Sequence, residues 1–530
     1  MPDVFLYDTT LRDGAQTEGI TFSVADKLKI LTRLDEFGFH YIEGGWPGAT
    51  PKDSEFFVRA RDVPLRNARL AAFASTRRPG GHVESDPTVR ALIDAATPVV
   101  AVVGKSWTLH VTDVLRTTLD ENLAMIRDTC QYLHAIGREV VYDAEHFFDG
   151  YRADPRYALE SIRSAFDGGA DWLVLCDTNG GSMPGFVARV VTEVRLALPN
   201  ARIGIHPHND CECGVANALA AVEAGATQVQ GTINGYGERI GNANLISIVP
   251  NLQVKMGLTC VDEASIAQLT KLSQFVAEIA NQIPSPNQPY VGSTAFAHKA
   301  GLHANAVLKT SASFEHIDPA LVGNRQRILI SELGGRSNIE SKLAQFGIDV
   351  SGDEGVLRRI SAQVKEMESR GFQYEAADAS FELLARRALP NYKAPFELLD
   401  VLVLVEKRRG VEMLAEATIK IRVGDAVMHT AAEGNGPVHA LDGAMRKTLL
   451  GSYPELAAVE LIDFKVRVVD QTAGTGTVVR VSIESSDGHA TWSTVGSSGN
   501  IIEASWLALA DSMEFALLRA GREMPSLATV

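Results

Sequence analysis

Arg202-Ile203-Gly204-Ile205-His206-Pro207-His208-Asn209-Asp210 reads as a short apolar strand, residues 202–205, that runs directly into polar side chains. In an extended chain, residues i and i+2 leave from the same face, so His206 and His208 can point at one centre. The same unit recurs on both sides. Strand-like segments at 4–8, 41–43, 70–74, 99–103, 139–143, 172–176 and 227–232 alternate with helix-like ones. Ser23 stands as an N-cap before an amphipathic run that ends at Phe37-Gly38, and another amphipathic run, 119–136, ends at Gly137. Alternating β and α elements imply a parallel sheet with right-handed crossovers, and eight units in about 250 residues point to a closed (β/α)8 TIM barrel. An open doubly wound sheet is the alternative. The absence of a Gly-rich dinucleotide fingerprint after the first strand counts against it.

The carboxyl ends of barrel strands carry activity, and here several of them are polar. Thr9-Thr10-Leu11-Arg12-Asp13-Gly14-Ala15-Gln16 follows the first strand. Asp13 offers a hard oxygen ligand, and Arg12 a fork suited to a carboxylate or a developing oxyanion. The two can equally form an ordinary ion pair. His206 and His208 suit a metal, or form a hydrogen-bonded pair without one. In the loop after the eighth strand, Gly235–Asn244, Asn242 can turn its amide oxygen to the same centre, or the asparagines can simply make turns. Glu145, after the fifth strand, is placed to assist proton transfer, or is a solvated carboxylate. Thr178, after the sixth, offers a hydroxyl for a substrate carboxylate. Cys211-Glu212-Cys213 lacks a second pair at zinc-finger spacing and reads as ordinary thiols.

The chain has 530 residues, 45% hydrophobic and 22% charged, the profile of a soluble globular protein with more than one domain. Its formal net charge of −15 argues against non-specific binding to nucleic acid or membrane. Five cysteines without framework spacing suit free thiols in a reducing cytoplasm. Met1-Pro2-Asp3-Val4-Phe5 lacks the basic-then-apolar pattern of an export signal, and no apolar run is long enough to span a bilayer. Domains are expected at 1–280 (catalytic barrel), 281–390 (helical connector) and 391–530. The last carries a tandem repeat: strands at 399–406, 416–423 and 426–431 with a helix at 438–450, then strands at 461–469, 477–484 and 489–495 with a helix at 501–518. Two βββα units make an α+β domain suited to binding an effector between its halves, or to dimerisation alone.

Leu6-Tyr7-Asp8-Thr9-Thr10-Leu11-Arg12-Asp13-Gly14-Ala15-Gln16, His206-x-His208-Asn209-Asp210 and Gly237-Glu238-Arg239-x-Gly241-Asn242 resemble the barrel metallo-synthases that include 2-isopropylmalate, homocitrate and citramalate synthases. Tyr41–Gly48, Phe464-Lys465-Val466-Arg467, Trp492-Ser493-Thr494-Val495-Gly496 and Asn500–Trp506 are similar to the long-form citramalate members.

The resemblance implies an acyltransferase that joins acetyl-CoA to a small 2-oxo acid, pyruvate in citramalate synthases, by Claisen condensation and thioester hydrolysis. It assigns Asp13, His206, His208 and Asn242 to a divalent cation, Mg2+ or Mn2+ foremost, Zn2+ or Co2+ as alternatives. Arg12 would stabilise the developing alkoxide, and Thr178, with Arg12, Gln16 and Trp46, would bind substrate. Glu145 and His303 are the acid–base candidates, and the choice between them, or a water between them, stays open. Trp46 or Phe73 is expected to fill space that larger oxo acids need. The terminal domain would bind a branched-chain amino acid, isoleucine for a citramalate synthase, and a homodimer is expected. The rivals are isopropylmalate or homocitrate formation, a lyase or carboxyltransferase on the same barrel, and a non-catalytic amino-acid sensor.

Overall fold

Period-2 alternation along eight short strands decides the first half of this protein. The computed structural model describes residues 2–329, 336–350, 353–407, 413–469 and 477–521. It divides into two compact units, Met1–Phe296 with Ile317–Arg325, and Ala297–His316 with Gln326–Val530.

In the first unit a closed parallel barrel runs β1 (Phe5–Asp8), β2 (Tyr41–Glu43), β3 (Arg69–Ser75), β4 (Val99–Lys105), β5 (Glu139–Glu145), β6 (Trp172–Asp177), β7 (Ile203–Pro207) and β8 (Gln228–Gly231) in spatial order. Tyr7 of β1 lies opposite both Tyr41 of β2 and Gln230 of β8, which closes the ring.

One residue in two faces inward, and the inward set changes character along each strand. At the amino-terminal end the interior is apolar, with Tyr41, Val99, Val141 and Trp172 in one cluster. Toward the carboxyl end the inward positions become Glu43 on β2, Asp143 and Glu145 on β5, His206 on β7 and Gln230 on β8. The outward residues pack beneath the helices in a larger apolar layer that includes Leu6, Ile42, Val100, Val140, Leu173 and Ile205. Such an interior is a packed core and not a channel, so ligands meet the polar end.

The helices are specified locally. Val24–Phe37 begins at a capping box: Ser23 Oγ accepts from Asp26 N, and the Asp26 carboxylate accepts from Ser23 N. It ends at Gly38, whose φ of 102° suits glycine. Between these signals Ile30, Leu31, Leu34 and Phe37 form the buried stripe.

The second unit begins with a two-residue parallel ladder, β9 (Ala297–His298) against β10 (Arg327–Ile328). Helices Arg336–Gln345, Glu354–Ser369 and Asp378–Arg387 follow, sharing a core of Ile339, Leu343, Ile360 and Phe381. Then come two antiparallel sheets, β11 (Glu397–Glu406), β12 (Leu414–Val423), β13 (Ala426–Gly434) and β14 (Glu460–Val468), β15 (Val479–Ser486), β16 (Thr491–Ser498), each closed by a helix, Pro437–Leu449 and Ile501–Arg519. The repeat extends to detail: β11 carries an extra residue at Leu399 and β14 one at Ile462. Both halves feed one core, with Ile419, Ile421 and Met445 from the first and Val481, Ile483 and Met513 from the second. The edge strands β11 and β14 leave large apolar side chains open, among them Leu402 at 66% and Val468 at 53% exposure.

Ser23→Ala removes one half of the capping box at an exposed site. It is expected to cost about 1 kcal/mol, read in calorimetry as a fall of about 2–4 °C in the barrel's transition midpoint.

Candidate active site

The turn after β1 is built by its own side chains. Asp8 accepts from the backbone N of Thr10 at 2.9 Å and from its hydroxyl at 2.8 Å. The same hydroxyl accepts from Ile233 N at 2.9 Å, tying this turn to the one after β8. Burial pushes the Asp8 carboxyl up to about 7. The folded turn directs Arg12 and Asp13 to the barrel mouth, where both line a cavity of about 390 Å3.

Three side chains there can share one cation. Ligand atoms of Asp13, His206 and His208, all buried, lie within 4.8 Å of one another, and His206 Nε2 is 3.3 Å from Asp13 Oδ2. Asn242 is bridged to His208 through the backbone. Its Nδ2 donates to the Tyr236 carbonyl at 3.2 Å, and its Oδ1 is buried with no hydrogen-bond partner among the described residues. His208 Nδ1 is in the same condition. Buried polar atoms left without partners are costly, and a cation on this mixed N/O set would satisfy them. The donor set fits Mg2+, Mn2+, Zn2+ or Co2+.

Electrostatics keeps the ligands ready. Burial opposes charge on Asp13, but Arg12 and His206 outweigh it and hold the carboxyl well below the usual range. Burial, helped by the neighbouring His206, pulls His208 down to about 4, so its ring is neutral at neutral pH. His206 feels the same burial, and its hydrogen bond to Asp13 raises it.

Arg12 sits between acids and an aromatic ring. Its Nε donates to Glu43 Oε1 at 2.6 Å, an Nη is 3.2 Å from Asp13 Oδ2, and the guanidinium lies 4.0 Å from the Phe73 ring centroid. Tyr7 donates to the other Glu43 oxygen at 2.7 Å. Burial works against the charge on Arg12, and Asp13 and Glu43 more than restore it.

The other expected residues fall as follows. Glu145 lines the cavity and is ion-paired with Lys105. Thr178 lines it too; its hydroxyl accepts from His146 N at 2.9 Å, and its carbonyl accepts from Arg239 at 2.8 Å. His146 itself adopts a left-handed φ of 54°, a strained conformation held at the end of β5. Trp46 lines the cavity with its ring edge-on to Phe73, centroids 5.6 Å apart. Gln16 is an exposed residue on the cavity's rim. His303 belongs to the second unit, in helix Gly301–Lys309, where its exposed ring stacks on Phe314 at 4.2 Å. Cys211 and Cys213 are free thiols and do not line this cavity.

Four buried or half-buried groups, Glu43, Lys105, Asp143 and Gln230, were given no role in the sequence analysis. Glu43 and Lys105 are the last residues of β2 and β4, and Asp143 shares an inward face with Glu145. The i, i+2 rule applied to β7 finds all of them when applied to every strand.

Residues 3–276 match the HMGL-like family, 290–371 the homocitrate synthase post-HMGL domain-like family, and 375–517 the LeuA allosteric (dimerisation) domain. The chain is 52% identical to the (R)-citramalate synthase of Aquifex aeolicus, covering 98% of this chain and 99% of that one. It is 50% identical to the (R)-citramalate synthase of Geobacter sulfurreducens, covering 97% of each. A probable 2-isopropylmalate synthase of Methanopyrus kandleri is 33% identical, covering 95% of this chain and 97% of that one. The chain belongs to the HMGL-like family, in its citramalate synthase branch. The non-catalytic sensor loses its basis with this assignment, because the ligand atoms and the acids stand together in one cavity.

Gly237 has φ +152°, and a Cβ there would lie 2.2 Å from Asn242 Nδ2. Gly237→Ala is expected to displace Asn242 and weaken Mn2+ binding by about tenfold, measured by isothermal titration. Unchanged affinity would remove Asn242 from the site.

Proposed function

We propose that this enzyme condenses acetyl-CoA with pyruvate and hydrolyses the resulting thioester, releasing (R)-citramalate and CoA for isoleucine biosynthesis. The observation that carries the reading is the full-length likeness to (R)-citramalate synthases, well above that to 2-isopropylmalate synthases.

Asp13, His206, His208 and Asn242 would hold the divalent cation, with Mg2+ or Mn2+ foremost. When bound, the cation supplies a Lewis acid for the oxo acid's carbonyl oxygen. Arg12, fixed by Glu43 and Phe73, meets that oxygen as it gains negative charge, and needs no reorganisation to do so. Thr178 keeps a hydroxyl proton to donate to the oxo acid's carboxylate, because its oxygen already accepts from His146 N. Glu145 would take a proton from the acetyl methyl group, directly or through a water, with His303 of the second unit the other candidate for that role. Lys105 fixes the position of Glu145. The methyl carbon then forms the new bond to the carbonyl carbon of pyruvate, and water cleaves the thioester, which makes the step hard to reverse.

Trp46 and Phe73 form the wall that admits a methyl group. Gln16 borders the entrance. The exposed apolar strands β11 and β14, with the match to a dimerisation domain, support a homodimer in which those strands are covered. The allosteric domain match supports feedback by a branched-chain amino acid, isoleucine by the logic of the product. No described helix is long and apolar enough to cross a membrane, and five free cysteines suit the cytoplasm.

Thiol release from acetyl-CoA, measured with a panel of 2-oxo acids, tests the reading. Pyruvate is expected to give the highest kcat/KM, chelator to abolish the rate, and Mn2+ or Mg2+ to restore it. An equal or better rate with 2-oxoisovalerate would overturn the assignment. Trp46→Ala is expected to raise activity with 2-oxobutyrate relative to pyruvate by about tenfold, the reach of one added methylene. A ratio that does not move removes Trp46 from the specificity wall.

A further inference from the structure

Gln230 is fully buried in the barrel interior, on β8 next to the strand that carries His206. A primary amide in such a place is costly unless its two ends are matched to the right partners. Its Oε1 lies 2.7 Å from His206 Nδ1. Its Nε2 lies 3.2 Å from Asp143 Oδ1 and 3.3 Å from Gln228 Oε1. Asp143 is itself 3% exposed and borders the cavity.

Resting on the cation site proposed above, we infer that Gln230 and Asp143 are positioning residues that set the tautomer of His206. Asp143 Oδ1 and Gln228 Oε1 both accept from Gln230, so the NH2 end of Gln230 is the end that faces them. The oxygen end then faces His206 and accepts from Nδ1, which must carry the proton. Once a cation takes the place of the Nε2 proton that bonds to Asp13, the imidazole keeps its proton on Nδ1 and presents its lone pair at Nε2. Nε2 is the nitrogen 3.3 Å from Asp13 Oδ2, on the side where the ligand atoms converge. The chain Asp143–Gln230–His206 thus reads out as a lone pair aimed at the cation, with the ring unable to rotate or exchange tautomers freely. The arrangement uses residues of three strands, β5, β8 and β7, so barrel closure itself supplies the alignment. It also explains why the interior holds a glutamine where an apolar side chain would pack more cheaply.

The test uses full-length protein stripped with chelator and titrated with Mn2+, the free ion followed by electron paramagnetic resonance. Gln230→Leu keeps the approximate shape and removes the acceptor. Its Mn2+ dissociation constant is expected to rise about 10–100-fold, while the thermal midpoint of the metal-free protein stays within a few degrees of the parent. Gln230→Asn, which withdraws the acceptor by one methylene, carries the same test should the leucine variant not fold. The decisive variant is the exchange Gln230→Glu with Asp143→Asn. There the new carboxylate accepts from Nδ1 and the new amide donates to that carboxylate, so both links survive with the net charge unchanged. Recovery of Mn2+ affinity to within about threefold of the parent is expected. A merely structural glutamine would give no such recovery, and failure of the exchange overturns the inference. So does parental affinity in Gln230→Leu. His206→Ala, run alongside, separates the two readings. If it binds Mn2+ like the parent, the cation site is wrong and the relay falls with it. If it loses Mn2+ while Gln230→Leu does not, the relay alone is wrong.

Discussion

Four carboxylates, Asp13, Glu43, Asp143 and Glu145, are gathered around one barrel mouth, and two cations hold three of them there. Arg12 bonds to Asp13 and Glu43, and Lys105 pairs with Glu145. Uncompensated burial of like charges costs several kcal/mol per ion. The site shows how that cost is offset. Asp13, 3.2 Å from Arg12, is held ionised. Asp143 bonds to a neutral amide, and burial with Glu43 pushes it up to about 7. The neighbouring acids thus differ in proton affinity through their partners, the condition under which acid–base roles can be divided within one cavity.

That crowding is possible because the fold sorts side chains by height. Parallel strands in a closed barrel give each strand the same sense, so a given position along one strand sits level with its neighbours. Apolar residues at the amino-terminal end, Tyr41, Val141 and Trp172, form a floor that excludes water. Two or four residues later the same faces carry Glu43, Asp143 and Glu145. The floor lowers the local dielectric and strengthens every interaction above it. The loops add what the strands cannot. Asp8 and Thr10 fold the first turn, and Gly237 leaves room for Asn242, bringing residues from distant parts of the sequence beside His206 and His208.

Much of this was legible before any coordinates. Eight strand positions, the Ser23 cap, the Gly38 terminus and the βββα repeat follow from local pattern, since each is enforced by neighbours within a few residues. Asp13, His206 and His208 converge because strand ends in a barrel converge. What escaped the reading were the partners. Glu43 and Lys105 look like ordinary charges at the ends of short strands, and their meaning comes from Arg12 and Glu145, 31 and 40 residues away. Gln230 is an unremarked amide in a short strand until β8 lies against β7. Strand limits shifted by one to three residues, as at β7, where the strand runs on through Pro207 and takes His206 into the barrel wall. Pairing sets such limits, and pairing is not local.

On the function proposed above, Phe73 would link specificity to chemistry. Its ring stacks with the Arg12 guanidinium and packs edge-to-face with Trp46. A stacked cation of this kind contributes about 0.5–2 kcal/mol, comparable to what one methylene of substrate contributes to selectivity. Widening the pocket at Phe73 would therefore loosen Arg12 by about as much as it gains in room. On the function proposed above, a change of oxo acid would fall to Trp46, which leaves the Arg12–Phe73 stack in place.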